Sequence, residues 1–435
     1  MWGSILKVAI VIALPLLGLP GLVAVYGLLV IWAAISPRRA MEALILAVLP
    51  TTLNPGIWPE SESIGAVLRW LVVFVAFARV VVGVAIPFPA PTRWVLGLAI
   101  VGLMSAPFVA AAPDVSIMKI VTFFVGACAA LIGFWKCRGH NWTPFFIGFL
   151  LVVVVTSAPL MFSQIGVFLN KRGFQGITNH PQFFGGLLAP LTAWLLAMIY
   201  VGKVRPFWIG LAVLALVQIF MSESRNAALA VALGLAAAAG TRLFSVRPDD
   251  FQVTPRALAV SAGSILAGAF LILQFDRVAA FLNAFMSKRL SGGSLDTVFA
   301  ESRGQLLRLS LENFENNPWL GIGFGMPSIP WQLEVVRVGG IPVSAAVEKG
   351  IWYVAVLEEL GIIGAALTFG MLIAIALPTF RRGAAPAAAL VFTIFASNLG
   401  EATMFSAGGL GIFLWALLAQ GYNNPIGGMD VVAGK

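Results

Sequence analysis

Three arginines stand at the edges of apolar runs: Arg172 in NKRGFQGITNHP, Arg225 in SESRNAAL and Arg303 in AESRGQLL. A charge at the margin of a hydrocarbon layer is costly, so it usually serves an anionic ligand, a partner carboxylate or lipid headgroups. Counting apolar segments places all three on the same side of a membrane. Guanidinium groups bind phosphate oxygens in a bidentate fashion, so three of them on one face suggest a pocket for a doubly negative group such as a diphosphate. Ser222, Ser224 and the first amides of the helix opening after Arg225 would add donors, as helix N-termini do for anions. The plainer alternative for Arg225 is an interfacial arginine that snorkels and is held by Glu223. Arg303 could equally pair with Glu301 across a first helical turn.

Other polar residues cluster near these arginines in the sequence. Lys171, Asn179, His180 and Gln182 share a glycine-punctuated loop with Arg172, and Asn179 and Gln182 suit a polar floor for a sugar or phosphate. His180 is a candidate general base, although a histidine beside proline is more often structural. Glu348, at the start of an apolar run, could take a proton from a hydroxyl nucleophile, with Lys349 beside it. Asn398, Glu401 and Ser406 in another short loop could line the same cavity. Trp319, Trp331, Trp352 and Tyr353 fit both sugar stacking and the aromatic belt of a membrane interface. Glu358 and Glu359 lie about two turns inside an apolar run and demand partners, for which Arg69 or Arg79 is the expectation. No metal-ligating constellation is apparent: no Asp-x-Asp pair flanks these loops, and the two histidines fall on opposite faces.

The scaffold that must position these groups is a membrane protein. The 435-residue chain is 60% apolar and 10% charged, against about 25% charged for a soluble domain. Spans must be helical so that backbone groups are satisfied internally. The expected fold is an all-α polytopic membrane protein with 12–14 transmembrane helices and one long outer loop containing short helices. The expected division is a bundle over 1–274, the loop over 275–350, further membrane helices over 351–424 and a disordered tail over 425–435. The apolar N-terminus reads as a retained first span, because no convincing small-residue cleavage site follows it. Cys128 and Cys137 predict no disulfide.

The net charge of +9 is a topology signal and not a nucleic-acid footprint, since Lys and Arg sit in short loops between spans. Arg38 with Arg39, Lys136 with Arg138, Lys203 with Arg205 and Arg381 with Arg382 mark one side as cytoplasmic. With an even number of spans both termini join them. The loop at 275–350 carries seven acids and seven bases between Asp276 and Lys349, so its balanced charge does not oppose export. A helix is expected over 301–317, ended by Pro318, with Leu306, Leu309 and Phe314 on one face. Gly321, Gly323 and Gly325 follow. No Lys-Ser/Thr pair follows them, so they are not a nucleotide loop; they suit close approach of backbone to a ligand or another helix.

At SESRNAAL, ENNPWLGIGFG and LEELGIIG the chain resembles the O-antigen ligase and O-antigen polymerase family, over about residues 165–375. The order of these motifs around one long loop carries the resemblance. It implies a metal-independent, cofactor-free integral-membrane glycosyltransferase of a bacterial inner membrane. Such proteins transfer a glycan from undecaprenyl diphosphate to an acceptor hydroxyl at the periplasmic face, with a chain-length regulator as a further partner. Carried onto this sequence, Arg172, Arg225 and Arg303 hold the donor diphosphate and the base is Glu348 or lies elsewhere; beside the resemblance, the residues themselves make His180 the other candidate base and Asn179, Gln182, Trp319 and Lys349 candidate sugar contacts. Ligases usually place His-Asn before the Glu-x-Gly helix; here Glu348-Lys349 stands there, which favours a polysaccharide polymerase. A ligase that joins finished glycan to a lipid or protein acceptor is the alternative. A flippase for the anionic lipid is a third, which the one-sided distribution of polar residues argues against.

Overall fold

The computed structural model describes residues 1–59, 62–82, 88–167, 173–202, 206–245, 304–347, 349–406 and 408–423. Arg172, Arg303, Glu348, the expected span at 255–274 and the tail lie outside these residues.

The chain is mostly helical. In order, the helices are α1 (Trp2–Ala13), α2 (Leu19–Ile35), α3 (Pro37–Leu46), α4 (Glu62–Val81), α5 (Ala90–Val109), α6 (Pro113–Lys136), α7 (Thr143–Ser157), α8 (Pro181–Tyr200), α9 (Pro206–Met221) and α10 (Arg225–Ser245). After the undescribed stretch come α11 (Gln305–Asn316), the strands β1 (Glu334–Val338) and β2 (Ile341–Ala346), then α12 (Trp352–Arg381), α13 (Ala385–Ser397) and α14 (Leu410–Asn423). Among the described residues, six helices are long and apolar enough to cross a membrane: α4, α5, α6, α7 with its following 3-10 turn, α8 and α12. The chain is thus a polytopic membrane protein. The antiparallel β1–β2 hairpin is an addition to the all-α expectation. Alternating Val, Arg and Ile around Gly339-Gly340 favour it, because both glycines adopt the positive φ of a two-residue hairpin turn.

Burial separates the middle of the bundle from its rim. The α6 and α8 spans are 72% buried within the protein, whereas α4 and α5 are 39% buried, so the latter pair turn their outer faces to lipid. Two spans depart from regular helix. Residues 40–46 of α3 are buried on every side, and the helix stops at mid-bundle. The irregular chain that follows is satisfied by protein: Asn54 N donates to Ile177 O at 2.8 Å and Asn179 N to Thr52 O at 2.8 Å. The Asn54 side chain also donates to Ile165 O and Gly176 O. Non-helical backbone at membrane depth is tolerated only when enclosed in this way.

The second departure is α12, which breaks at Gly361 (φ 63°, ψ −165°). A strap of residues 318–326 crosses the break. Ile322 N donates to Glu358 O at 2.8 Å, Gly323 N to Glu359 O at 3.0 Å, and Ile362 N to Pro318 O at 2.8 Å. The glycine-rich segment thus makes the close backbone approach that its composition suggests, and the partner is a helix. The strap is pinned to α6 as well, by Ser116 Oγ donating to Phe324 O at 3.0 Å and by Phe324 packing on Phe123.

Contacts among the described loops gather them into two groups. At one end, Phe174 N donates to Met221 O, Ser224 abuts Gly185 and the Asn226 side chain donates to Ser397 O. That end gathers residues 163–167, 173–180, 222–225, 343–347, 349 and 398–406. Basic residues mark the other end: Lys136 donates to Val82 O, Arg79 to Ile35 O and Arg382 to Tyr422 O. Buried Glu42 is held there by Lys7 at 2.6 Å, by Arg38 at 3.4 Å and by the Trp32 indole at 3.0 Å.

Candidate active site

A cavity of about 730 Å3 opens at the loop-rich end. Its walls come from α4 (Arg69, Trp70), α6 (Met118, Lys119, Thr122), the start of α12 (Trp352, Glu359) and the turn before α8 (Asn179, His180). Loop residues 401–411 form a further side, and β2 with Val347 and Lys349 roofs it.

The structure therefore brings together much of what the sequence singles out. Asn179, His180, Gln182, Lys349, Glu401 and Ser406 all line this one cavity. Arg225 stands half-buried at the start of α10, at the same end of the bundle but not among the lining residues. Trp319 is largely exposed and lies outside the cavity, on the strap.

The acidic pair of α12 is not matched to Arg69 or Arg79, contrary to the sequence expectation. Glu358, fully buried, accepts from Lys349 Nζ at 2.6 Å, Asn313 Nδ2 at 2.7 Å and Ser328 Oγ at 3.1 Å. Glu359 accepts from the Gly325 amide at 2.7 Å and lies 3.6 Å from Lys349 Nζ. These partners sit next to the acids because the strap and α11 pack against the break in α12. Sequence inspection misses them because they lie across the fold. Breaking a buried, hydrogen-bonded pair by removing one partner costs about 3–5 kcal/mol. Glu358→Ala is therefore expected to lower the thermal midpoint of the purified protein markedly. A midpoint equal to wild type would show that the network contributes nothing.

Two cavity cations are left without acids. Arg69 Nη1 donates to Thr51 Oγ1 at 2.8 Å, and its Nε is buried with no partner. Lys119 Nζ donates to the carbonyl of Gly325 at 2.6 Å. Among the described residues, neither side chain has a carboxylate within ion-pair distance. The Gly325 peptide separates Lys119 from Glu359, its N–H serving the acid and its C=O the amine, so the two do not neutralise each other directly. A Cβ at Gly325 would stand 2.2 Å from Lys119 Cδ, so this wedge is open only to glycine. The buried Trp352 indole N–H also lacks a partner on the same wall. The cavity wall thus presents Arg69, Lys119 and the Trp352 indole as hydrogen-bond donors, with Glu359 and Glu401 as carboxylates on the same wall.

Both cations carry a sequence signal that the three flanking arginines overshadow. Arg69 lies inside GAVLRWLVVF and Lys119 inside VSIMKIVTFF, with no acid three or four residues away in either direction. An ionisable residue inside a span with no local partner points by default to a functional site.

His180 caps α8: its Nδ1 accepts from Gln182 N at 3.2 Å. An accepting Nδ1 leaves the neutral ring's proton on Nε2, which makes the ring a donor in this arrangement. Among the described residues, no group of three or more His, Cys, Asp or Glu side chains is placed to hold a metal ion.

The sequence matches no family model and no curated protein.

Proposed function

We propose that this chain is an integral-membrane glycosyltransferase that extends a repeat-unit glycan carried on a lipid diphosphate. One observation carries the reading: a cavity within a membrane bundle presents two cations, Arg69 and Lys119, neither of which makes an ion pair among the described residues. Burying unbalanced charge is costly, and a donor diphosphate ester with one negative charge on each phosphate matches the pair. Asn179, Gln182 and the His180 cap supply neutral groups of the kind that bind sugar hydroxyls.

In the transfer step, an acceptor hydroxyl oxygen attacks the anomeric carbon. The bond from that carbon to the diphosphate oxygen breaks, and its electron pair leaves with the diphosphate. The hydroxyl proton passes to a carboxylate. Glu348, beside Lys349 in the chain, is the base favoured by sequence, and Glu401 is a carboxylate on the cavity wall itself. Arg69 and Lys119 stabilise the charge that gathers on the leaving diphosphate, where fixed donors contribute most. Arg225, at the start of α10, would serve the approach of the lipid phosphate, and the sequence assigns the same role to Arg172 and Arg303, which lie outside the described residues. The basic loops at the opposite end support a cytoplasmic assignment for that end and for both termini. The cavity then faces the periplasm of a bacterial inner membrane.

A ligase would use the same cavity once per finished chain. A flippase is less well supported. Broken helices such as α12 do occur in transporters, but here the break is filled by the strap rather than by a path for substrate.

The test is purified protein in lipid nanodiscs, given a lipid-diphosphate-linked oligosaccharide without added metal. A ladder of longer lipid-linked glycans is expected. A single transfer to a different acceptor would establish the ligase. Absence of any transfer, with lipid movement between leaflets of proteoliposomes, would overturn the enzymatic reading.

A further inference from the structure

The roof of the cavity has an outer surface that the proposed chemistry does not use. At the tip of the β1–β2 hairpin, Val338 and Ile341 form a cross-strand pair around the Gly-Gly turn. They are 50% and 68% exposed, and Trp331, just before the hairpin, is 85% exposed. The base of the hairpin is spoken for: Val343, Ser344 and Ala345 line the cavity. The tip points elsewhere.

Its position is set by one contact. Arg337 Nη1 lies 2.6 Å from Asp114 Oδ2 and also donates to Gly340 O, which closes the turn. Asp114 is in the first turn of α6, the point where that span begins. The preceding helix, α5, ends beside it with Phe108 85% exposed and Met104 68% exposed. Such residues on a rim helix face acyl chains. The Arg337–Asp114 contact therefore holds the tip near the level where α6 begins, the level at which the lipid-facing helices end.

We infer that the hairpin tip is a membrane-interface anchor: Val338 and Ile341 sit among lipid headgroups and upper acyl carbons beside α5 and α6, fastening the cavity roof to the bilayer. The partner surface is lipid. The inference rests on the membrane reading of the helices and not on the glycosyltransferase reading, so either can fail alone.

The test uses the full chain with Cys128→Ala and Cys137→Ala, both native cysteines being free. Ile341→Cys is labelled with an environment-sensitive fluorophore, and Glu334→Cys at the far end of β1 is the control. In nanodiscs holding one protein each, the label at 341 is expected to emit blue-shifted light relative to the label at 334. Its emission is expected to be quenched by lipids carrying a shallow nitroxide. Water-like emission at 341 would overturn the anchor. So would a blue shift that shallow-nitroxide lipids fail to quench, or one that appears only when two copies share a disc, which would assign the tip to a protein contact. Label position does not touch the folded interior, and a monodisperse elution profile confirms that the variants fold.

Discussion

Replacing Arg69 with alanine should cut glycan transfer by about two to three orders of magnitude, the usual loss when one charge-stabilising donor is removed from a leaving-group site, while the protein still inserts and folds. The two halves of that expectation have one cause. Arg69 is bound only to Thr51 and has no acid among the described residues. Its removal takes a net positive charge out of the bundle and breaks no ion pair. The thermal midpoint should therefore stay level or rise. Charge placed for ligand rather than for fold commonly behaves this way, because function and stability trade against each other at such sites. Arg69→Lys retains the charge but loses the planar fork, so it should keep part of the activity. Transfer assays alongside thermal unfolding in the same nanodiscs check both halves. Wild-type turnover in Arg69→Ala would remove the arginine from the diphosphate site. A collapse in stability would show that it serves the fold.

Gly361→Val is expected to leave little folded protein. At φ 63° and ψ −165° the backbone occupies a region that is essentially restricted to glycine. Even a single Cβ there would lie 2.3 Å from the carbonyl carbon and oxygen of Trp319, and these are main-chain atoms with no rotamer to yield. The crossing is reciprocal: a Cβ at Gly321 would lie 2.4 Å from the carbonyl carbon of Glu359. Relief requires withdrawal of the strap, which would uncover the carbonyls of Glu358 and Glu359 at membrane depth. Each such orphaned group costs several kcal/mol, enough to exceed the stability of many proteins. Gly321→Ala should show the same defect more mildly, and the double variant should lose less than the sum, since both substitutions break one contact. Limited proteolysis of the 304–349 region and thermal unfolding report it. A variant that resists protease like wild type would refute this account of the break.

The sequence made the class of protein and the gathering of loops legible, and the reasons can be traced to particular residues. Apolar runs declare the spans, and short basic loops fix the alternation. Asn179 and Lys349 stood out because they lie in loops, and Gln182 because it opens α8, where polar residues are easily seen against apolar neighbours. The partners of Glu358 were not legible. Lys349, Asn313 and Ser328 reach it across a fold whose geometry depends on a break in α12, and LEELGIIG reads as an uninterrupted span. A glycine in an apolar helix has no periodic signature that separates a break from a packing contact. Arg69 carried a signal in its lack of a nearby acid. The expectation that it would pair with Glu358 or Glu359 fails because Lys349, Asn313, Ser328 and the Gly325 amide hold those acids instead.

The strap also dictates an order of assembly. Residues 318–323 leave the ribosome before α12 does, and the broken turn near the start of that helix cannot rest in hydrocarbon until their amides reach it. Insertion of α12 is therefore a docking event, completed only after a preceding segment has folded on the cavity side. For this span the translocon hands over an unfinished helix, and the rest of the chain supplies what hydrophobicity alone cannot.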